Sequence, residues 1–237
     1  MQRYFSKEKN GDYFILEDGD IHHITNVMRM KNGDNIEVIY NEELYLCEIL
    51  FTEKQPNIKM IEKQELISNE KTEIILLIPL LKEQKMDLIL QKATELGVSK
   101  IIPIITERSI IRLDGDKFNK KKERWKKIVK EASEQSKRIN IPTIDNLKTL
   151  KELLNLEGLK IVCSTIEKDI NIKKFLKNNR KYDRIIVAIG PEGGLSLKEE
   201  QYLNSIGFTS VSLGSRIMRV ETVPLFILSV INYEYME

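Results

Sequence analysis

Apolar positions along the 237 residues follow one pattern up to about residue 70 and another beyond it. In the first part the apolar runs are short and strand-like: Tyr13–Leu16, Asn35–Tyr40, Leu44–Phe51 and Asn57–Glu62. Leu44–Phe51 alternates only in part, as a half-buried strand of a small barrel does. One helix lies among them, with Ile21, Ile24, Val27 and Met28 as its apolar stripe. Asp20 is its expected N-cap, and Asn32-Gly33-Asp34 ends it and turns the chain. The stretch Ile61–Thr72 (IEKQELISNEKT) is polar and lacks strong periodicity, which puts a boundary there between domains 1–70 and 71–237.

Beyond it, apolar runs alternate with helical periods. A strand is expected at Glu73–Leu80, then a helix at Lys85–Gly97 with Met86, Ile89, Leu90, Ala93 and Leu96 on one face. Next come a strand at Ile101–Thr106, a long helix at Asn119–Lys137 and a short one at Thr149–Leu156. A strand at Lys160–Thr165 and a helix at Ile170–Asn178 lead into two final strand–loop–helix units. Five strands, each followed by a helix, predict an α/β domain: a mostly parallel sheet with helices on both faces. Near-continuous apolar strands such as IILLIP and IIVAIG fit burial on both sides.

The two final units share one plan. Arg184–Gly190 ends in a glycine-rich turn, Ser196 opens a helix with Glu199 three residues on, and Gly207 closes it. Val211–Gly214 then leads into SRIMRVET and a last apolar helix. In an open α/β sheet, ligands bind outside the carboxyl ends of the strands, so the loops Gly190–Ser196 and Gly214–Thr222 lie where a ligand belongs.

Charge sharpens the division. Residues 1–70 hold 8 Lys/Arg against 14 Asp/Glu, and the remainder holds 30 against 22. Lys117–Arg138 alone has ten basic and three acidic residues. Such a strip either holds a polyanion such as RNA or is a solvated helix face laced with ion pairs (Glu123 with Lys127, Lys127 with Glu131). In the acidic first part only a local patch of Arg3, Lys7, Lys9, Arg29 and Lys31 suits phosphate, and Arg29 is equally suited to neutralising a helix C-terminus. Cys47 and Cys163 read as reduced thiols, His22 and His23 offer no zinc-ligand spacing, and no metal is expected. No apolar run approaches a membrane span, and MQRYFSKEKNGD lacks an export signal, so a cytoplasmic protein is expected.

Familiar nucleotide motifs are absent. No G-x-G-x-x-G follows a strand, Gly190-Pro-Glu-Gly-Gly lacks the Lys-Ser/Thr of a P-loop, and there is no G-x-S-x-G elbow. Gly193 and Gly194 still allow close backbone approach to a ligand, while Pro191 stiffens the turn. Glu192 either complements a helix dipole or contacts that ligand.

IGPEGGLS followed by LGSRIMRVET and an apolar C-terminal helix resembles the SPOUT methyltransferases. With HHITNVMRMKNGD, LILQKATELGVSKIIPIITERS and RWKKIVKEASEQSKR in the same order, nearly the whole chain resembles the RsmE family of 16S ribosomal RNA (uracil-N3) methyltransferases. Leu195, Ser215 and Val223-Pro224 depart from that family's usual residues. The resemblance implies a PUA-like, RNA-binding β-barrel at the N-terminus, a C-terminal domain with a trefoil knot, and a homodimer. It implies S-adenosyl-L-methionine as methyl donor, held near Thr165, by Gly190, Pro191, Glu192, Gly193 and Gly194, and by Leu213, Gly214, Ile217, Met218 and Arg219.

On spacing alone, Arg219 and Glu221 read as a local ion pair capping the last helix. The resemblance instead implies catalytic roles. Arg219, a planar and permanently charged fork, would stabilise the uracil anion, and Glu221 would orient it or take the N3 proton. Arg3, Arg29, Arg108, Arg124 and Arg138 are the candidate contacts to small-subunit ribosomal RNA. Two other readings stand beside this one: an RNA-binding or assembly factor that kept the fold without the chemistry, and a small-molecule enzyme using another adenosyl ligand.

Overall fold

A computed structural model describes residues 1–52, 55–65, 72–180 and 182–235. The chain divides into two compact units, Met1–Ser68 with Ser133–Asn140, and Asn69–Ala132 with Ile141–Glu237. The boundary expected near residue 70 falls on 66–71, outside the described residues.

The first unit contains β1 (Arg3–Phe5), β2 (Glu8–Asn10), β3 (Tyr13–Ile15), α1 (Asp18–His22), β4 (Asn35–Tyr40), β5 (Glu43–Thr52) and β6 (Gln55–Gln64). They form one mixed sheet in the order β1-β4-β5-β6-β3-β2, with β1 and β4 parallel and the other pairs antiparallel. The sheet encloses a core that includes Tyr4, Phe14, Ile24, Val38, Cys47 and Ile58. Asp20 does not cap the helix as expected. The cap is Glu17, whose carbonyl accepts from the amides of Asp20 and Ile21, and Asp20 is buried one turn in. The helix continues as a π turn, His23–Val27, and Arg29 adopts a left-handed φ of 51° just beyond it.

The second unit opens with β7 (Glu73–Pro79), α2 (Glu83–Glu95), β8 (Lys100–Ile105) and α3 (Gly115–Gln135), whose last turn groups with the first unit. Then come β9 (Thr143–Ile144), β10 (Lys148–Thr149), a 3₁₀ turn (Leu150–Leu153), β11 (Leu159–Ser164), α4 (Ile172–Lys177), β12 (Arg184–Ala188), α5 (Leu197–Ser205), β13 (Thr209–Ser212) and α6 (Thr222–Tyr235). Every pairing is parallel, in the order β10-β8-β7-β12-β11-β13 with β9 also on β8. The edge pieces β9 and β10 were not expected, and the short helix at Thr149–Leu156 is only the 3₁₀ turn.

The two-residue repeat of β7 explains why its whole run is apolar. Ile74, Leu76 and Ile78 meet one core, with Met86 and Leu90 of α2, Trp125 of α3 and Ile227 of α6. Ile75 and Leu77 meet the opposite core, with Leu203 of α5 and Leu153. Helices on both faces leave the strand ends as the places where loops gather. Among the described residues, no helix is long and apolar enough to cross a membrane.

Candidate functional site

Strands β12, β11 and β13 are neighbours in one parallel sheet, so the loops following all three emerge side by side. They border a cleft of about 350 Å³ lined by Thr165, Gly190, Pro191, Glu192, Gly194, Ile217, Met218 and Arg219, together with Lys85, Cys163, Ile189, Val220 and Val223. Four of the expected positions, Gly193, Leu213, Gly214 and Glu221, do not line it. Gly193 faces Arg108, Leu213 packs against the core, and Gly214 is exposed with φ of 123°.

The loop after β12 is shaped by its own residues and held by another loop. The Gly194 amide donates to the Pro191 carbonyl at 2.8 Å, and Gly194 has φ of 69°. A Cβ on Gly190 would lie 2.7 Å from the Leu195 nitrogen, so any side chain there would collide with backbone. Ser196 caps α5 by accepting from the Glu199 amide, and Glu199 Oε2 accepts from the Ser196 amide at 2.8 Å, completing the expected capping box. The other Glu199 oxygen accepts from the Glu107 amide at 2.7 Å. Next to it, Arg108 Nη1 donates to the Gly193 carbonyl at 2.8 Å. The end of β8 thus braces the glycine-rich loop.

The loop after β13 is differently made. Residues 215–218 form no hydrogen bond with any described residue, and Ile217 is 77% exposed. The Arg219 carbonyl accepts from the amides of Thr222 and Val223, starting α6, while its exposed guanidinium forms no ion pair with a described residue. Pro224 is accommodated in the first turn, where an amide hydrogen has no helical partner.

Glu221 does not pair with Arg219. Its Oε2 lies 3.5 Å from Lys85 Nζ, and the same ammonium donates to Glu192 Oε1 at 3.1 Å. Burial favours protonation of Glu192, but its own amide and Lys85 outweigh that and hold its carboxyl below the usual range. The hydrogen bond to Glu192 raises Lys85 in turn. Burial pushes the Cys163 thiol up to about 12, which keeps it protonated and unreactive. Lys85 carries no local motif, and its partner Glu192 is 107 residues away.

The arginines expected on RNA separate by environment. Arg3 is 7% exposed, pairs with Glu37 at 2.8 Å and donates to the carbonyls of Lys137 and Arg138 within the first unit. Arg138 is 6% exposed and donates to Asn140 at 2.8 Å. Both are placed as structural residues, which corrects the expectation of surface contacts. Arg124 pairs with Glu83 and Asp87 of α2. Arg29 and Arg108 are exposed. On α3 the pairing of Glu123 is with Lys126, not Lys127, while Lys120 and Lys127 are exposed.

Residues 68–232 match the RNA methyltransferase domain family, and residues 16–59 match the RNA methyltransferase PUA domain family. The ribosomal RNA small subunit methyltransferase E of Bacillus subtilis (strain 168) is 33% identical over 99% of this chain and 97% of its own length. Its namesake in Mesomycoplasma hyopneumoniae (strain 232) is 34% identical over 97% and 98%. Among solved structures, that of a Neisseria gonorrhoeae ribosomal RNA small subunit methyltransferase E bound to S-adenosyl methionine matches with a TM-score of 0.87 at 28% identity, covering 98% of this chain and 97% of that one. A methyltransferase from Legionella pneumophila with bound SAM matches with a TM-score of 0.88 at 28% identity, over 98% and 96%.

Proposed function

The chain belongs to the ribosomal RNA small subunit methyltransferase E family, and on that premise we propose that it methylates N3 of a uridine in 16S ribosomal RNA at the cleft between the loops after β11, β12 and β13. It is an S-adenosyl-L-methionine-dependent enzyme with a PUA-like first unit. The observation that carries the site is the convergence of Thr165, of Gly190, Pro191, Glu192 and Gly194, and of Ile217–Arg219 on one cleft.

The cleft suits the methyl donor. Its volume is in the range of small-ligand sites, with apolar walls from Ile189, Met218 and Val223 beside backbone polar groups of the glycine-rich loop. Glu192 lines this cleft, which must receive a cation, and Lys85 links it to Glu221. When bound, S-adenosyl-L-methionine supplies an electrophilic methyl group on a sulfonium. Arg219 stabilises the negative charge that spreads onto O2 and O4 as the N3 proton leaves. Glu221 would accept that proton, freeing the N3 electron pair to take the methyl group as the donor is released as its thioether. Because Glu221 pairs with Lys85, the Arg219 fork stays open to the pyrimidine.

Exposed Arg29, Arg108, Lys120 and Lys127 supply phosphate contacts, which give salt-dependent affinity but not base choice. On this reading residues 1–70 are the RNA-docking unit and 71–237 the methyl-transferring one. The protein works in the cytoplasm on the RNA of the small ribosomal subunit. A homodimer fits the apolar side chains left exposed on the second unit, among them Leu88 of α2 and Phe226 and Tyr233 of α6. Mass spectrometry of 16S nucleosides from cells with and without the protein tests the reaction. Loss of one 3-methyluridine without the protein is expected, and an unchanged nucleoside profile would contradict it.

A further inference from the structure

Lys85 stands in the first turn of α2 and reaches both cleft loops from outside them. Its ammonium lies 3.1 Å from Glu192 Oε1 in the loop after β12 and 3.5 Å from Glu221 Oε2, just before α6. Among the described residues this is the ion pair that ties the two loops together. The side chains of Lys85, Glu192 and Glu221 are 32%, 33% and 19% exposed, so the group is partly shielded from solvent. Without the ammonium, the Glu192 and Glu221 carboxylates would be left close together with no cation between them. Like charges at such range repel, and each raises the proton affinity of the other.

We propose that Lys85 is a positioning residue, which sets the spacing of the two cleft loops and holds the Glu221 carboxylate in place for the N3 proton. The inference rests on the methyl-transfer reading above and adds to it a residue that no motif marks. The charges facing this group are few. Lys82, one turn earlier, acts on Glu192 through space, and Arg219 lines the same cleft. Cys163 also lines it but stays a neutral thiol.

The test compares the full-length wild-type protein with Lys85→Met and Lys85→Arg, following methyl transfer from S-adenosyl-L-methionine to small-subunit RNA across pH. In Lys85→Met, kcat should fall about tenfold or more while KM for the methyl donor changes less than about threefold. The acid limb of the kcat profile should move to higher pH by about half a unit or more, because the carboxylates lose their cation. Lys85→Arg should restore most of kcat and return the limb towards its original position. A Lys85→Met protein with wild-type kcat and an unmoved acid limb would overturn the inference while leaving the reaction intact. So would a loss that Lys85→Arg does not rescue and that leaves the limb in place, since that is the mark of a packing defect. A wild-type protein that transfers no methyl group would overturn the reaction and the role of Lys85 together.

Discussion

The loops after β12 and β13 share a sequence plan, an apolar strand into glycine and polar residues and then a helix, yet differ in how they are held. Gly190–Ser196 is closed by an internal turn, capped by Ser196 and Glu199, and braced by Glu107 and Arg108. In the second loop, residues 215–218 bond to no described residue. The contrast assigns different work to each. A braced loop with its conformation already fixed loses little entropy when a cofactor binds to its backbone. An open loop leaves the Arg219 guanidinium accessible to a second, larger substrate.

The largest effect expected from breaking this division is on chemistry. Arg219→Ala should lower kcat by about 10²-fold or more, the usual result of removing a preorganised charge stabiliser, while donor affinity by calorimetry stays within a few-fold. Gly190→Ala attacks the braced loop instead. Backbone 2.7 Å from the new Cβ has to shift, so stability should fall by about 1–3 kcal/mol in denaturant titrations and donor affinity about tenfold. Removing only the brace is milder. Arg108→Ala loses a charged hydrogen bond to the Gly193 carbonyl at an exposed site, and should weaken donor binding about fivefold without abolishing transfer.

The smallest effect is a control outside both loops. Burial would raise the Asp145 carboxyl, but the Asn146 amide, Lys100 and Lys148 pull it down to about 2. The folded value lies below the unfolded value of about 3.9, so the stabilisation is present above about pH 4 and is lost as pH falls through about 2. Asp145→Asn should therefore cost about 1–2 kcal/mol near pH 7, allowing for partial exposure, with the gap closing in acid and donor affinity unchanged.

Local features of this molecule are legible in its sequence. The Ser196–Glu199 box and the positive φ of Gly97, Gly194 and Gly207 depend on residues a few positions apart, and they appear where spacing places them. The main strands of the parallel sheet are equally clear, because burial on both faces makes their runs apolar throughout. Pairings made by the fold itself are not legible. Nothing near Lys85 points to Glu192, and nothing near Arg108 points to Gly193, 85 residues on. Arg3 and Arg138 look like surface cations until the first unit encloses them, and the edge pieces β9 and β10, of two residues each, are too short to show a period. Asp20 resembles a cap by type, but Glu17 and Asp18 start the helix earlier. The cleft residues stood out because several fall on two glycine-marked loops, and the resemblance supplied the rest.

Hydrogen–deuterium exchange of the amides in the two loops, with and without saturating S-adenosyl-L-methionine, tests the division of labour most directly. The account predicts that the Gly194 amide is already protected in the free protein and that residues 215–218 gain protection on binding the donor. Exchange that is equally fast in both free loops, or unchanged by the donor in either, would contradict it.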